Sequence, residues 1–196
     1  MRRILRTLLG RPQPAPAAAG STQLRMLARF DGATPVESAL LPPGYRIVAG
    51  DRSRHDEWAA LLDSSGEFGS IDRKTFQREL LSIMLPGGGV LIELDGRLVA
   101  CAAACFAKRF APYALLNYVL VQNDARGHGL GRAASLEAMQ RARAAGYPGI
   151  VLQTDDARLG ALGMYLALGF EPVLDAAPDA PARWGAVMAH LGNRLP

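Results

Sequence analysis

At 196 residues, 49% of them hydrophobic, the chain is long enough for one packed domain plus an extension. Its net charge of +4, from 22 basic against 18 acidic residues, is a mild bias that gives no reason to expect a nucleic acid partner. No run approaches the roughly eighteen apolar residues that a membrane span needs, so no membrane partner is expected either.

Met1 to Gly20 is a tail by composition: Arg2, Arg3 and Arg6 punctuate Ile4, Leu5, Leu8 and Leu9, and Pro12 to Ala19 is nearly all proline and alanine. Ala17-Ala18-Ala19 could serve as a signal cleavage site, but the apolar stretch before it is short and broken by Arg6, so a disordered extension is expected. Residues 21–43 read as an extended arm or linker, in which Leu24 to Phe30 could form a short strand, and residues 44–196 as the domain proper. Tyr45-Arg46-Ile47-Val48 alternates and predicts the domain's first strand. A helix is predicted over His55 to Leu62 with Trp58, Leu61 and Leu62 on one side, then a loop over Ser64 to Ser70. A second helix follows from Asp72 to Met84, where Phe76, Leu80, Ile83 and Met84 keep helical spacing.

Pro86 to Gly89 reads as a turn, Val90 to Leu94 as a strand, Asp95-Gly96 as a two-residue hairpin turn and Arg97 to Ala107 as the partner strand. Cys101 and Cys105 fall in that strand, where four residues separate them by about 13 Å. That exceeds the reach of a disulfide, about 7 Å between Cα atoms. Two reduced core thiols in a cytoplasmic protein are expected.

Leu115 to Val121 is a short apolar run and reads as a buried strand, broken by Asn123 and Asp124. Gly127, Gly129 and Gly131 follow, and then Leu130, Ala134, Ala138, Ala142 and Ala145 repeat at helical spacing up to Gly146, a helix-ending glycine. Glycine admits a close ligand, and the first turn of a helix carries orphan N–H donors and partial positive charge, so this junction is an anion site suited to phosphate. Ile150 to Gln153 reads as a buried strand, Asp155 or Asp156 as the cap of a helix running to about Leu168, and Phe170 as the start of another strand. Trp184 to Leu191 reads as a last apolar strand.

The glycine stretch fails the dinucleotide pattern G-x-G-x-x-G, whose third glycine would fall on Arg132, and no Gly-Lys pair exists for a nucleotide-binding P-loop. It fits R-x-x-G-x-G through Arg126, Gly129 and Gly131, five residues after Val121. In this it resembles the pyrophosphate loop of the GCN5-related N-acetyltransferases (GNAT family). The segment Ala161-Leu162-Gly163-Met164-Tyr165-Leu166-Ala167-Leu168-Gly169-Phe170-Glu171-Pro172 resembles the second acetyl-coenzyme A motif of the same family.

The resemblance implies an α/β domain with a mixed, mostly antiparallel sheet whose central strands splay, flanked by helices. Acetyl-CoA would lie in the gap, with Val119, Leu120 and Val121 binding the pantetheine arm. Arg126, Gly127, His128, Gly129, Leu130, Gly131 and Arg132 would bind the pyrophosphate. Tyr165 would sit near the thioester sulfur and protonate the departing thiolate, chemistry a phenol can supply.

Two departures matter. The family often has asparagine seven residues before the tyrosine, contacting the cofactor, and here Arg158 stands there, which could instead reach a cofactor phosphate or be a solvated cation. Many members place a glutamate on the central strand as general base, whereas Leu115, Leu116, Asn117 and Tyr118 offer no carboxylate. Asp155 and Asp156, beside the cleft, and Glu67 are the candidate bases, unless the amine arrives neutral through water, and His128 is expected to face solvent or phosphate. The expected activity is acetyl or short-acyl transfer from coenzyme A to a primary amine by direct attack, on a small-molecule or peptide acceptor. The alternatives are a non-catalytic coenzyme A-binding domain and a surface-binding protein acting through its basic arm. A homodimer stays open.

Overall fold

The computed structural model describes residues 23–30 and 40–192. A seven-stranded sheet forms in the order β2-β3-β4-β5-β6-β1-β7. Its strands are β1 (Leu24–Arg29), β2 (Tyr45–Ala49), β3 (Met84–Leu94), β4 (Arg97–Cys105), β5 (Ala114–Val121), β6 (Gly149–Thr154) and β7 (Glu171–Pro172). Every pairing is antiparallel except β5 with β6, which run parallel. This is the mixed, mostly antiparallel architecture expected from the sequence.

Helices cover both faces. On one lie α1 (His55–Ser65) and α2 (Arg73–Phe76), the latter continuing as a π-helical turn, Gln77–Leu81. On the other lie α3 (Leu130–Ala144), α4 (Leu159–Ala167) and α5 (Ala180–Gly192). The core divides accordingly: Trp58, Leu62, Phe76 and Leu80 pack on one side with Leu91, Leu115 and Leu120, and Leu130, Ala134, Ala138 and Trp184 pack on the other with Ile92, Leu116 and Ile150. The alanine stripe of α3 is buried from Leu130 through Ala142, so the helix lies close on the sheet, while Ala145 is exposed.

Asp95 and Gly96 both have positive φ (51° and 82°), the type I′ conformation whose twist matches the flanking strands. Arg46 (2.7 Å) and Arg54 (3.0 Å) both pair with Glu93, which is 5% exposed, and Arg54 also binds Glu57, tying α1 to the β2–β3 edge. A buried carboxylate is tolerable only with such partners.

Four sequence expectations are corrected. Within the stretch read as an arm or linker, Leu24–Arg29 pairs with β6 on one side and β7 on the other, so it is an interior strand of the sheet, and the first strand precedes Tyr45. Its partner lies more than a hundred positions downstream, which no local pattern reveals. The second helix ends at Leu81 rather than Met84, because Ile83 and Met84 turn into β3. Pro86 to Gly89 is not a turn but a bulge within β3, where the register slips between Met84 and Gly89. There a Cβ on Gly88 would meet the Ala104 carbonyl oxygen at 2.3 Å and one on Gly89 the Trp58 ring at 2.9 Å, so glycine makes room for neighbours. Finally, Trp184 to Leu191 is helical: Trp184 and Val187 are buried, and with half-buried Leu191 they repeat at helical intervals against α4. The expected tail over residues 1–20 lies outside the described residues.

Candidate active site

The site begins with a break in the sheet. β5 and β6 pair only at Ala114–Ile150 and Leu115–Val151, and beyond that point they separate. The cause is on the other edge of β5, where Ala103 pairs with Asn117 but Cys101 pairs with Leu120, leaving one extra residue in β5. Tyr118 absorbs it with φ of 50°, its amide donating to the Asn117 side chain (3.1 Å) and its carbonyl accepting from the Cys101 thiol (3.3 Å). A bulge of this kind bends a strand and reverses the faces of the residues after it. Leu115 and Leu120, five apart, consequently pack on the same side.

The gap opens into a cleft of about 670 Å³. Its walls bring together Tyr165, Asp155, Glu67, Arg158 and Val119 among the residues singled out from sequence. Leu120 is 2% exposed with its side chain in the core, so only its backbone could face a ligand, and Val121 is half-buried at the strand's end. The glycine loop stands outside the cleft walls but is joined to them. Arg126 donates to the Val121 carbonyl (3.3 Å) and forms an ion pair with Glu67 at 2.5 Å, and Glu67 in turn takes Arg158 at 3.0 Å.

The loop's geometry fits a phosphate-bearing cofactor. Gly127 and Gly129 have φ of 86° and 74°, and a Cβ on either would meet nothing within 4 Å, so the space beside each glycine is open. Gly129 is the N-cap of α3 and, being glycine, brings no capping side chain, and the helix's first turn holds no acidic residue. The orphan donors of a fifteen-residue helix are therefore available to an anion, with Arg126 and Arg132 alongside. Gly131 differs: its φ is not positive, and a Cβ there would sit in ordinary van der Waals contact with Met164 (3.4 Å) and Val121 (3.5 Å). Leu130 is a core anchor, 1% exposed. The His128 Nδ1 lies 3.3 Å from the Ala125 carbonyl oxygen and its ring leans on Tyr45, with centroids 5.7 Å apart.

Tyr165 projects from α4, 6% exposed, with its ring edge-on to Phe170 at 5.6 Å. Burial pushes its phenol up to about 12, with Arg158 opposing and Glu67 adding to the rise. Neither Asp155 nor Asp156 caps α4 with its side chain, contrary to expectation. Arg158 occupies the N-cap, Asp155 lies 3.5 Å from it and accepts from Gln23 (3.4 Å), and Asp156 is bound by Arg183. The Arg183 hydrogen bond holds the Asp156 carboxyl below the usual range, against burial.

Tyr118 and Glu79 are among the cleft residues that sequence reasoning gave no role. Tyr118 donates its hydroxyl to Glu79 at 3.3 Å and packs edge-on to Phe68 at 5.0 Å, while burial first and then Glu79 push its phenol up to about 12. Glu79 rides on the π-helical turn, a rare element that often marks a functional position. No helical or strand period points to either, since a bulge and a π turn each break their period. Among the described residues, no helix is long and apolar enough to cross a membrane.

Comparison with known proteins agrees with this geometry. Over 168 residues the chain is 31% identical to a mycothiol acetyltransferase of Thermobispora bispora, covering 79% of this chain and 56% of that protein. A GCN5-related N-acetyltransferase from Sphaerobacter thermophilus superposes with a TM-score of 0.64, covering 78% of this chain and 49% of that one, at 14% identity. An aminoglycoside N-acetyltransferase solved in complex with CoA superposes with a TM-score of 0.55, covering 67% of this chain and 92% of that one, at 16% identity. The two structural likenesses speak for the fold alone, and the chain spans about half the length of the first two relatives. The model of the acetyltransferase (GNAT) family matches residues 55–170, the stretch that carries the bulge, the glycine loop and Tyr165, and the chain belongs to that family.

Proposed function

We propose that this domain transfers an acetyl or short acyl group from coenzyme A to a primary amine by direct attack. The observation that carries the reading is a glycine-opened helix start joined, through the Arg126–Glu67 ion pair, to a cleft in which a buried phenol lies beside the splayed strand. Acetyl-CoA, when bound, supplies the activated acyl group. Arg126, Arg132 and the amides of Gly127 to Gly131 would hold its pyrophosphate, and the backbone of Val119 to Val121 its pantetheine arm. Backbone N–H groups along β5 would donate to the carbonyl oxygen as charge develops on it.

Tyr165 keeps its proton across the neutral range and can deliver it from Oη to the thiolate that departs as the C–S bond breaks. The amine, forming its N–C bond, sheds a proton to solvent, from which the phenol is restored. A phenol near 12 is a weak acid beside a thiol of about 8.5 in water. The burial that raises the phenol also raises a thiolate lodged next to it, which narrows the gap. Glu67 is better suited to bracing than to taking a proton, because both its oxygens are engaged by guanidinium groups. The acceptor is a small-molecule or peptide amine, and two buried free thiols suit a reducing, cytoplasmic setting.

A second reading, a domain that binds coenzyme A without transferring from it, is favoured by one observation: β5 carries no carboxylate into the cleft. Calorimetric titration with acetyl-CoA followed by thiol release across a panel of primary amines separates the two. Amine-dependent thiol release supports transfer, binding without release supports the second reading, and the absence of binding refutes both.

A further inference from the structure

Acyl transfer, the reading on which this inference rests, leaves open what receives the acceptor amine. Three carboxylates line the cleft: Glu67, Asp155 and Glu79. Glu67 is braced between Arg126 and Arg158, and Asp155 shares Arg158 with it. Glu79 pairs with neither of those arginines, although the Arg158 guanidinium stands over the neighbouring Phe68 ring at 5.8 Å. Its Oε1 takes Arg78 at 2.8 Å, a side chain 68% exposed, while among the described residues its Oε2 is met only by the neutral Tyr118 hydroxyl at 3.3 Å. The Arg78 hydrogen bond, opposed by burial, holds the Glu79 carboxyl below the usual range, so it is charged at neutral pH.

Two backbone irregularities aim this group. The π-helical turn carries Glu79 and the bulge in β5 carries Tyr118, and neither regular element would hold the pair in the same place. Phe68 closes the corner edge-on to Tyr118, and Ile83 joins the same lining. A carboxylate oxygen with a neutral partner, set beside two aromatic rings, is an environment that stabilises an ammonium ion through charge and ring quadrupoles. We propose that Glu79, Tyr118 and Phe68 form the subsite that receives the acceptor, and that the acceptor class is a primary ammonium ion on an apolar stem.

The test is calorimetric, on the full chain. CoA affinity is measured first, for the parent and for the variants. The protein saturated with CoA is then titrated with phenethylamine, n-butylamine and, as the uncharged counterpart, 2-phenylethanol. At least one amine is expected to bind saturably and the alcohol at least ten-fold more weakly. Glu79→Gln should weaken the amine ten-fold or more, and Phe68→Leu about three-fold, while CoA affinity and melting temperature stay unchanged. Amine affinity within two-fold of the parent in Glu79→Gln, equal binding of alcohol and amine, or no saturable amine binding overturns the subsite. If Glu79→Gln does not fold, nuclear Overhauser contacts from the amine's methylene protons to the Phe68 and Tyr118 rings of the parent decide instead, and their absence overturns it. Failure to bind CoA with amine binding intact strikes the acyl-transfer reading and leaves the subsite standing.

Discussion

Tyr165→Phe is the most informative single change, because it removes one hydroxyl and leaves the packing. The ring is 6% exposed and stays edge-on to Phe170. No described residue hydrogen-bonds the hydroxyl, so its loss forfeits no folding interaction worth more than about 1 kcal/mol. The melting temperature should move by no more than about 4 °C. If Oη supplies the proton to the leaving thiolate, kcat should fall about 10²–10⁴-fold, or roughly 2.7–5.5 kcal/mol of barrier. The loss should appear in kcat/KM alike, with acetyl-CoA affinity unchanged, as for an interaction made mainly in the transition state. The pH dependence adds a second check. A phenol raised to about 12 stays protonated through pH 10, so it produces no falling limb below that, and activity lost on acidification belongs to protonation of the amine. The assay is steady-state thiol release with the best amine of the panel. Turnover within a few-fold of the parent, in a folded and saturated variant, refutes the general-acid role.

Gly129→Asp places a carboxylate on a left-handed backbone (φ 74°) at the start of α3, where phosphate is proposed to sit. CoA affinity should fall more than ten-fold in a folded protein, read by calorimetry, and an unchanged affinity removes the phosphate role from this loop. A chain beginning at Gly44 deletes β1, whose Leu24, Met26, Leu27 and Ala28 are buried between β6 and β7. It should fail to give a cooperative thermal transition, and a normal one would show β1 to be dispensable. The Cys101 and Cys105 thiols, pushed up to about 12 by burial, should react with a disulfide reagent at pH 8 only after denaturation. Rapid labelling of the native protein would refute their burial.

Legibility in sequence tracks the range of the interaction. The hairpin at Asp95-Gly96, the glycine loop and the small-residue stripe of α3 are local devices, each with a conformational reason that its own neighbours display. The interior position of β1 depends on a partner at 149–154, and the two arginines on Glu67 lie 59 and 91 residues away, so neither can be read along the chain. Tyr118 is hidden because a bulge breaks the alternation that identifies a strand. The C-terminal helix escapes for another reason: an eight-residue apolar run suits a buried strand as well as a helix, although Ala180, Trp184, Val187 and Leu191 do keep helical intervals.

The bulge at Tyr118 gives this sheet edges that its strand order does not announce. Past Leu115 and Val151, β5 and β6 no longer satisfy each other, so backbone donors and acceptors line both banks of an opening inside the sheet. On an outer rim such groups would recruit another polypeptide and invite aggregation. Here Glu67, Phe68, Glu79 and Tyr165 wall the opening, within about 670 Å³. A whole β-strand with side chains on both faces would be turned away, whereas a slender, unbranched chain rich in amides could lie between the banks and hydrogen-bond as a strand does.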